Sequence, residues 1–361
     1  MISTEPEFAL IAPKLGELDA MVIFPDVRFR ADVAMIAGSL LIGAARTRYL
    51  LSLPKDEETF VGLTLENFRD LRAAVAGERV RVNQIVGVGG VSFPDGGTLS
   101  TPWGTLQGLP FVDADTRFDV HSKVETNCLL SRPRFVKVEF DRSPVPPGDV
   151  TVMDVRRDPE HVLLPLAFAL ATESPRHPLV PSFSWTSCLR PFSIGFGAAW
   201  YPGPPSAQPM IDASACRSRV EQWSRLIHEN HCPSLDFAAQ RMISACRNQR
   251  DSVLGLVDAV MVWESLFGSK TEVTFSVTAS IAKLLEAEPP ERQRRMKELK
   301  HIYGTRSKVV HGEGESPRRI AQDAEAAIEV AVEMLRRSYP RGRKWLSQKS
   351  TERVSGLLLG D

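Results

Sequence analysis

The sequence predicts an α+β N-terminal domain followed by an all-α antiparallel helical bundle, and three observations support this fold class. Segments that alternate apolar and polar residues are concentrated before about residue 200, whereas a helical period dominates the remainder. The segment YPGPPSAQP, Tyr201–Pro209, contains four prolines and a glycine, which cannot continue a helix or a central strand. We therefore expect an α+β domain at 1–205, a helical bundle at 206–345 and a C-terminal tail at 346–361.

The composition is that of an ordinary globular protein without a basic overall field. The chain has 361 residues, of which 43% are hydrophobic, enough for two domains with separate cores. Its 44 Lys and Arg residues equal its 44 Asp and Glu residues, so any nucleic-acid binding must depend on a local patch. The five cysteines are odd in number and lack CxxC spacing, which favours a reduced, cytoplasmic setting.

The N-terminal elements favour α+β because strands and helices do not alternate as they would in repeated βαβ units. The run VAMIAGSLLIGAA, Val33–Ala45, is too short to span a bilayer, so we expect a buried helix and no membrane partner. Further helices are predicted at Leu65–Gly77 and Asp158–Ala171. The predicted strands are Met21–Phe24, Arg79–Val88, Arg117–Glu125, Arg134–Phe140 and Asp149–Val155.

Six helices with short connections are predicted in the bundle, which favours antiparallel neighbours. In the last of them, Ser316 suits the N-cap and Pro317 the first turn. The segment VTFSVT at the start of the fourth alternates with period two and would also suit a strand, but its helical surroundings favour a helix. The predicted helices are Asp212–Asn230, Leu235–Arg247, Asp251–Phe267, Thr274–Ala287, Pro290–Val310 and Pro317–Ser338.

The stretch YGTRSKVVHGEG, residues 303–314, places an arginine where an apolar residue is expected. Arg306 lies within the apolar face of its predicted helix, where a guanidinium costs free energy unless it is paired or meets an anion. His311 follows at the C-terminal end of the helix, and Gly312 suits the position after the cap. On one straight helix Arg306 and His311 would point about 140° apart. They converge only if the helix end unwinds, the arginine wraps around, or a second copy contributes, so we expect a homodimer.

Glu264 interrupts an apolar row in the helix that ends in WESLFG, and it too requires a cationic partner. Arg306 is the obvious candidate. A Glu264–Arg306 pair that only sets the helix register would explain both residues without any catalytic role. The segment HENHC carries His228, His231 and Cys232, but no paired cluster supplies a fourth zinc ligand, so we predict no metal site.

Together, VDAVMVWESLFG and the later IYGTRSKVVHGEG resemble the HEPN family, specifically its Apea-like branch. That family is a helical bundle marked by an arginine, four to six residues, and a histidine; here Arg306 and His311 have four residues between them. The resemblance covers residues 210–343. It implies metal-independent RNA cleavage at a composite site between two bundles, with no cofactor.

The chemistry of the residues agrees with what the resemblance implies. A histidine can accept the ribose 2′-OH proton or protonate the leaving 5′ oxygen near neutral pH, and an arginine offers a planar fork to phosphate. We therefore predict Arg306 and His311 as catalytic residues, with an RNA substrate. Many nucleolytic members carry Asn, Asp or His directly after the arginine, whereas this chain has Ser307, which cannot titrate. The predicted supporting residues are Glu264, Ser307 and Tyr303, and the predicted RNA contacts are Lys300 and Lys308.

The resemblance also implies a biological setting, namely antiviral defence or a toxin-like role, with the N-terminal domain as sensor or regulator. The alternative is a non-catalytic module that dimerises and binds a nucleotide or a partner. The two hypotheses differ on His311, for which a purely structural Glu264–Arg306 pair has no use.

Overall fold

Two compact units make up this computed structural model. Residues 1–98, 104–157 and 181–206 contribute to the first unit, and residues 99–103, 158–180 and 207–361 contribute to the second. The linker predicted at Tyr201–Pro209 lies outside the described residues. The structure describes residues 21–24, 27–30, 40–41, 43–45, 48, 53–108, 127–137, 139–141, 160–173, 180–186, 211–247, 251–269 and 272–360.

The first unit is built on an antiparallel sheet with a helix against it. Strand β7 pairs antiparallel with both β3 and β6, and Val88 of β3 lies opposite Cys128 of β7. Helix α1 (Glu57–Val75) packs against β3 and buries Phe68 and Leu71. The strands of the described chain, of which β10 and most of β5 belong to the second unit, are β1 (Met21–Phe24), β2 (Val27–Arg30), β3 (Arg79–Gly89), β4 (Val91–Ser92), β5 (Thr98–Thr101), β6 (Gly104–Gly108), β7 (Cys128–Lys137), β8 (Glu139–Asp141), β9 (Val180–Thr186) and β10 (Ile211–Asp212).

The sequence located this sheet in part. The strands predicted at Met21–Phe24 and Arg79–Val88 are confirmed, and the one predicted at Arg134–Phe140 is divided between β7 and β8. The strands predicted at Arg117–Glu125 and Asp149–Val155 lie outside the described residues. Of the apolar run at 33–45, residues 40, 41 and 43–45 are helical, and Leu40 and Ala44 are fully buried.

Most of the second unit is helical, as the sequence predicts. All six predicted bundle helices are present, and the segment VTFSVT is the start of a helix rather than a strand. No helix in the described part of the chain has the length and apolar character needed to cross a membrane. The helices are α2 (Glu160–Ala171), α3 (Ala213–Asn230), α4 (Asp236–Arg247), α5 (Ser252–Phe267), α6 (Val273–Leu285), α7 (Pro289–Val310), α8 (Pro317–Ser338), α9 (Arg343–Leu346) and α10 (Ser350–Leu359).

Helix capping explains where several of these helices begin. The Asp212 carboxylate accepts the backbone N–H of Ser214 at 2.8 Å, and that of Asp251 accepts two N–H groups at the start of α5. The Ser316 hydroxyl accepts the N–H of Arg319 at 3.3 Å, and Pro317 occupies the first turn of α8, as predicted. Local sequence therefore sets these boundaries.

Helix α5 lies at the centre of the second unit. It packs against α4, α6, α7, α8 and α10, and Val260, Trp263 and Phe267 are fully buried along it. The indole N–H of Trp263 donates to the backbone carbonyl of Ala327 on α8 at 3.3 Å. Buried Asp258 receives Arg241 at 3.0 Å and Ser244 at 2.5 Å, both from α4.

Two segments that the sequence analysis assigned to the first domain and to the C-terminal tail pack within this second unit. Helix α2 was placed in the first domain, but Arg336 of α8 donates to the carbonyls of Leu170 and Thr172 at 2.9 and 2.7 Å. The predicted tail at 346–361 contains α10, which packs against α5 and α6. For α10, one cause is Arg353, a buried arginine with two of its contacts far away in sequence.

Arg353 joins the end of the chain to the centre of the bundle. Its guanidinium donates to the carbonyls of Leu266 at 3.0 Å and Ser265 at 3.1 Å, and to those of Leu346 at 2.9 Å and Gln348 at 2.7 Å. Leu266 and Ser265 belong to the last turn of α5, whose carbonyls lack intrahelical partners. One side chain therefore caps α5 and holds α10 in place.

We predict that Arg353→Ala lowers the free energy of unfolding of the helical unit by about 3 kcal/mol, because it leaves buried carbonyls without donors. Denaturant unfolding followed by far-ultraviolet circular dichroism measures this loss. Arg343→Ala is the matched control, since Arg343 is exposed and forms its hydrogen bonds through its backbone groups. Equal stability of the two variants would contradict the capping role.

Candidate functional site

Helix α7 presents the predicted site residues on two different sides. Leu299, Ile302 and Thr305 are buried against the bundle, and Tyr303 and Arg306 lie half-buried beside them. Val310, the apolar residue that ends this helix, is 51% exposed. The apolar face therefore ends before the last turn of the helix.

Arg306 faces α5, where it meets Glu264. The Arg306 Nη2 to Glu264 Oε2 distance is 3.6 Å, and the two side chains are 23% and 27% exposed. The Tyr303 hydroxyl donates to the other carboxylate oxygen of Glu264. The guanidinium carbon of Arg306 also lies 5.9 Å from the centroid of the Tyr303 ring. The pairing of Glu264 with Arg306 that the sequence suggested is present, and Tyr303 completes it.

The electrostatics of this trio keep Tyr303 protonated. Burial raises the pKa of Tyr303 well above its usual range, and the hydrogen bond and negative charge of Glu264 raise it further, against a lowering effect of Arg306. Tyr303 is therefore a hydrogen-bond donor over the physiological pH range. The Nε of Arg306 is buried and has no hydrogen-bond partner among the described residues. Arg306 thus retains donor capacity that Glu264 does not use.

His311 lies at the other side of the helix end. Its backbone N–H donates to the carbonyl of Ser307 at 3.0 Å, so the helix continues regularly to Val310. Gly312 follows with a φ of 73°, the left-handed conformation predicted for it. The His311 residue is exposed, and its imidazole forms no hydrogen bond or ion pair within the part of the chain described here.

One chain therefore does not bring Arg306 and His311 together. The helix end stays wound, and the arginine side chain points to Glu264 instead of wrapping toward His311. A regular helix keeps residues five apart at about 140°. Within this chain Arg306 is therefore engaged with Glu264 rather than with His311.

The remaining predicted residues differ in availability. Lys308 contacts the Glu315 carboxylate at 3.2 Å, and the Ser316 N–H followed by Lys308 lowers the pKa of Glu315. Lys300 is exposed, with its ammonium 6.0 Å from the Phe275 ring centroid. Ser307 is half-buried on the last turns of the helix. Lys300 is thus better placed than Lys308 to meet an external phosphate.

The histidine-rich segment at the end of α3 forms structural contacts. The two ring nitrogens of His231 lie 2.9 Å from the Tyr339 hydroxyl and 2.8 Å from the Asp236 carboxylate. The His228 ring packs edge-on against Trp103, and Cys232 lies 3.2 Å from the Ser234 hydroxyl. Within the described ranges, no group of three or more potential ligands could hold a metal ion.

A second polar cluster, which the sequence analysis missed, lies on another side of α7. A cavity of about 720 Å³ lies between parts of α7 and α8, and it is lined by His301, Arg319 and Asp323. Each of these residues looks like an ordinary charge on an amphipathic helix. The only local signal is that Arg319 and Asp323 are four residues apart, as are His301 and Thr305.

Comparison with known proteins adds no relative, since no family model, no curated protein and no solved structure matches the chain. The resemblance to the HEPN family therefore depends on the motif residues of α5 and α7. The geometry around Arg306 has to be tested directly.

We predict that Glu264 and Arg306 are energetically coupled by about 0.5–1 kcal/mol, the range for a partly exposed ion pair at this distance. A double-mutant cycle with Glu264→Gln and Arg306→Met, scored by denaturant unfolding, measures the coupling. The control cycle uses Glu291 and Arg294, an exposed pair within α7. A Glu264–Arg306 coupling no larger than the control value would mean that the pair does not hold Arg306 in place.

Proposed function

We propose that this protein is a metal-independent endoribonuclease of HEPN type whose active site contains Arg306 and His311. One observation carries the proposal: a half-buried arginine with an unpartnered Nε is held by Glu264 and Tyr303, five residues before an exposed histidine. A guanidinium held in this way suits the charge of a phosphodiester, and an exposed imidazole suits proton transfer.

In the proposed reaction the ribose 2′ oxygen attacks the adjacent phosphorus as the imidazole of His311 removes the 2′ proton. The bond from phosphorus to the 5′ oxygen breaks, and the proton that His311 removed passes to that oxygen, directly or through water, so no net proton is released and the imidazole is regenerated. The products carry a 2′,3′-cyclic phosphate and a 5′-hydroxyl. Arg306 offsets the negative charge that accumulates on the phosphoryl oxygens. Because the nucleophile belongs to the substrate, DNA is not cleaved.

Each supporting residue has a distinct task in this proposal. Glu264 orients Arg306, and Tyr303 holds Glu264 from the other side with a proton that it retains at physiological pH. Lys300 extends the cationic surface along α7 for a further phosphate. Ser307 supplies one hydroxyl where many nucleolytic HEPN members carry Asn, Asp or His, which favours a slow enzyme.

The proposed active form is a homodimer in which Arg306 of one copy meets His311 of the other. The wound end of α7 keeps the two side chains apart within one chain. Val310 directly precedes His311 and is exposed, so a second copy would also cover an apolar side chain. We further propose a cytoplasmic antiviral or toxin-like role, in which the N-terminal α+β unit restrains the nuclease.

A second candidate function is a non-catalytic dimerisation or nucleotide-binding scaffold. The observation that favours it is the Glu264–Arg306 ion pair itself, which already gives Arg306 a counter-ion within the chain. In that case His311 has no functional task.

We predict that the wild-type protein cleaves a mixed single-stranded RNA pool in EDTA and that His311→Ala abolishes cleavage. Electrophoresis of end-labelled RNA measures the rate, and sensitivity of the new 3′ ends to phosphatase only after acid opening identifies the cyclic phosphate. His228→Ala is the matched control, because His228 is also exposed and lies on α3. Cleavage by neither protein favours the scaffold, and equal cleavage by wild type and His311→Ala would show that the activity comes from elsewhere.

The composite site makes a separate prediction for mixtures of inactive variants. If Arg306 and His311 come from different copies, a heterodimer of Arg306→Ala and His311→Ala chains contains one intact site of two. After full subunit exchange of equal amounts, half of the dimers are mixed, so about one quarter of wild-type activity should return. No recovery, with subunit exchange verified by tagged chains, would place both residues in a site within one chain.

A further inference from the structure

The groove between α7 and α8 holds a cluster of polar groups that the proposed nuclease site does not use. Its cavity of about 720 Å³ has an apolar floor that includes Leu285, Ile302 and Val330. His301 lines the groove, and it lies five residues before Arg306, about 140° around the helix. The groove is therefore on a different side of α7 from the Glu264–Arg306 pair.

A buried carboxylate organises one end of this groove. Asp323 Oδ2 accepts the Thr305 hydroxyl at 2.6 Å and Arg319 Nε at 3.3 Å, and it lies 3.4 Å from His301 Nε2. Asp323 and Thr305 are both buried, so their positions are set by packing. His301 and Arg319 are 52% and 42% exposed. One carboxylate oxygen thus holds Arg319 at the groove and lies within ion-pair distance of the His301 imidazole in its protonated form.

The charge of this cluster depends on His301. Arg319 Nη2 contacts His301 Nε2, which can accept that N–H only when the imidazole is neutral. When the imidazole is protonated, two cations face each other over the single negative charge of Asp323. An anion at the mouth of the groove would offset this excess, and a guanidinium and an imidazolium are suitable donors to phosphate.

Most of the other charges near His301 are paired, and Lys297 adds a positive charge. On α7, Lys297 is exposed one turn before His301, whereas Arg295 is shared between Glu298 and Glu286, at 3.0 Å from each. Just before the start of α8, Glu315 is close enough to Arg319 to interact, but its carboxylate is held by Lys308 at 3.2 Å. Among the described residues that line the groove, helix α6 contributes only Leu285.

Besides Asp323 and Glu298, two more acidic residues of the described chain line the groove, and both lie far from Arg319. Glu329 and Glu333 are ten and fourteen residues beyond Arg319 on α8, which corresponds to about 15 and 21 Å along the helix axis. Both distances exceed the screening length of about 8 Å at physiological ionic strength. They therefore do not cancel the field at Arg319.

We propose that this end of the groove binds a phosphate group through Arg319, protonated His301 and Lys297. The ligand class is a phosphate ester whose organic part lies on the apolar floor, either a mononucleotide or a phosphate of an RNA chain. This site is separate from the proposed nuclease site, because it uses neither Arg306 nor His311 and lies on another side of α7.

Sulfate is the probe for the first test, because it is a dianion at both pH values compared. Isothermal titration of the full chain at constant ionic strength should show binding at least about fivefold tighter at about pH 5.5 than at about pH 8. Arg319→Gln should weaken binding about tenfold or more through loss of a charge-assisted donor. Arg318→Gln is the matched control, since Arg318 is exposed and adjacent but does not line the groove. Equal affinity at both pH values, or equal effects of the two substitutions, would overturn the proposal.

His301→Gln provides a second variant that leaves the Arg319–Asp323 pair in place. It should bind sulfate at pH 8 as the wild type does and should lose the increase at pH 5.5, with a thermal melt confirming that it is folded. A retained increase would assign the pH dependence to another group and reject the role of His301.

Two further arms separate the ligand sources and the two proposals. Titration with 5′-AMP and with an RNA oligonucleotide that ends in 5′-hydroxyl distinguishes a phosphate monoester from an internal phosphodiester. Arg306→Met should bind sulfate with unchanged affinity and pH dependence, whether or not the wild type cleaves RNA. Loss of sulfate binding in Arg306→Met would mean that the anion binds at the nuclease site instead, and the groove proposal would fail.

Discussion

The hydrogen bond from the Trp263 indole to the Ala327 carbonyl sets the geometry on which both candidate sites depend. Trp263 is fully buried, so its N–H must find an acceptor, and here it meets a carbonyl within a helix. The small side chains of Ala324, Ala327 and Ala331 let the indole approach the α8 backbone. This contact sets the register of α8 on α5. Glu264 directly follows Trp263, and Asp323 lies one turn before Ala327, so the same register directs both carboxylates toward α7.

Three carboxylates in the bundle follow one physical rule, each receiving a hydroxyl and an arginine. Asp258 receives Ser244 and Arg241, Glu264 receives Tyr303 and Arg306, and Asp323 receives Thr305 and Arg319. A carboxylate removed from water needs donors on both lone-pair sides and at least one positive charge.

The three clusters differ in how many donor groups of the arginine the carboxylate leaves unused. This difference distinguishes a structural pair from a candidate functional site. Arg241 forms a direct 3.0 Å hydrogen bond to Asp258, which is almost fully buried, so this pair compensates a charge in the core. Arg306 lies 3.6 Å from Glu264, farther than a hydrogen bond, and its Nε has no partner among the described residues. Arg319 faces an open groove beside a histidine.

The sequence predicted what local patterns determine and missed what only tertiary contacts create. The bundle helices were located because their apolar period and caps lie within each segment, as with Ser316 and Pro317. Glu264 and Arg306 were identified because each interrupts an apolar face. The His301–Asp323 contact joins residues 22 positions apart that look like solvated charges, and α10 depends on Arg353 reaching carbonyls at the end of α5. No local pattern contains that information.

The partial exposure of Glu264 gives the proposed nuclease a physical route to substrate binding. A phosphate that binds Arg306 must compete with Glu264, and a carboxylate that lost its only charged partner in a dry core would be strongly destabilised. Glu264 is 27% exposed, and Tyr303 continues to donate to its other oxygen. Water can therefore replace Arg306 at Oε2 when the guanidinium turns to phosphate. Asp258 has no such freedom, because it is only 5% exposed and water has little access to replace Arg241 there.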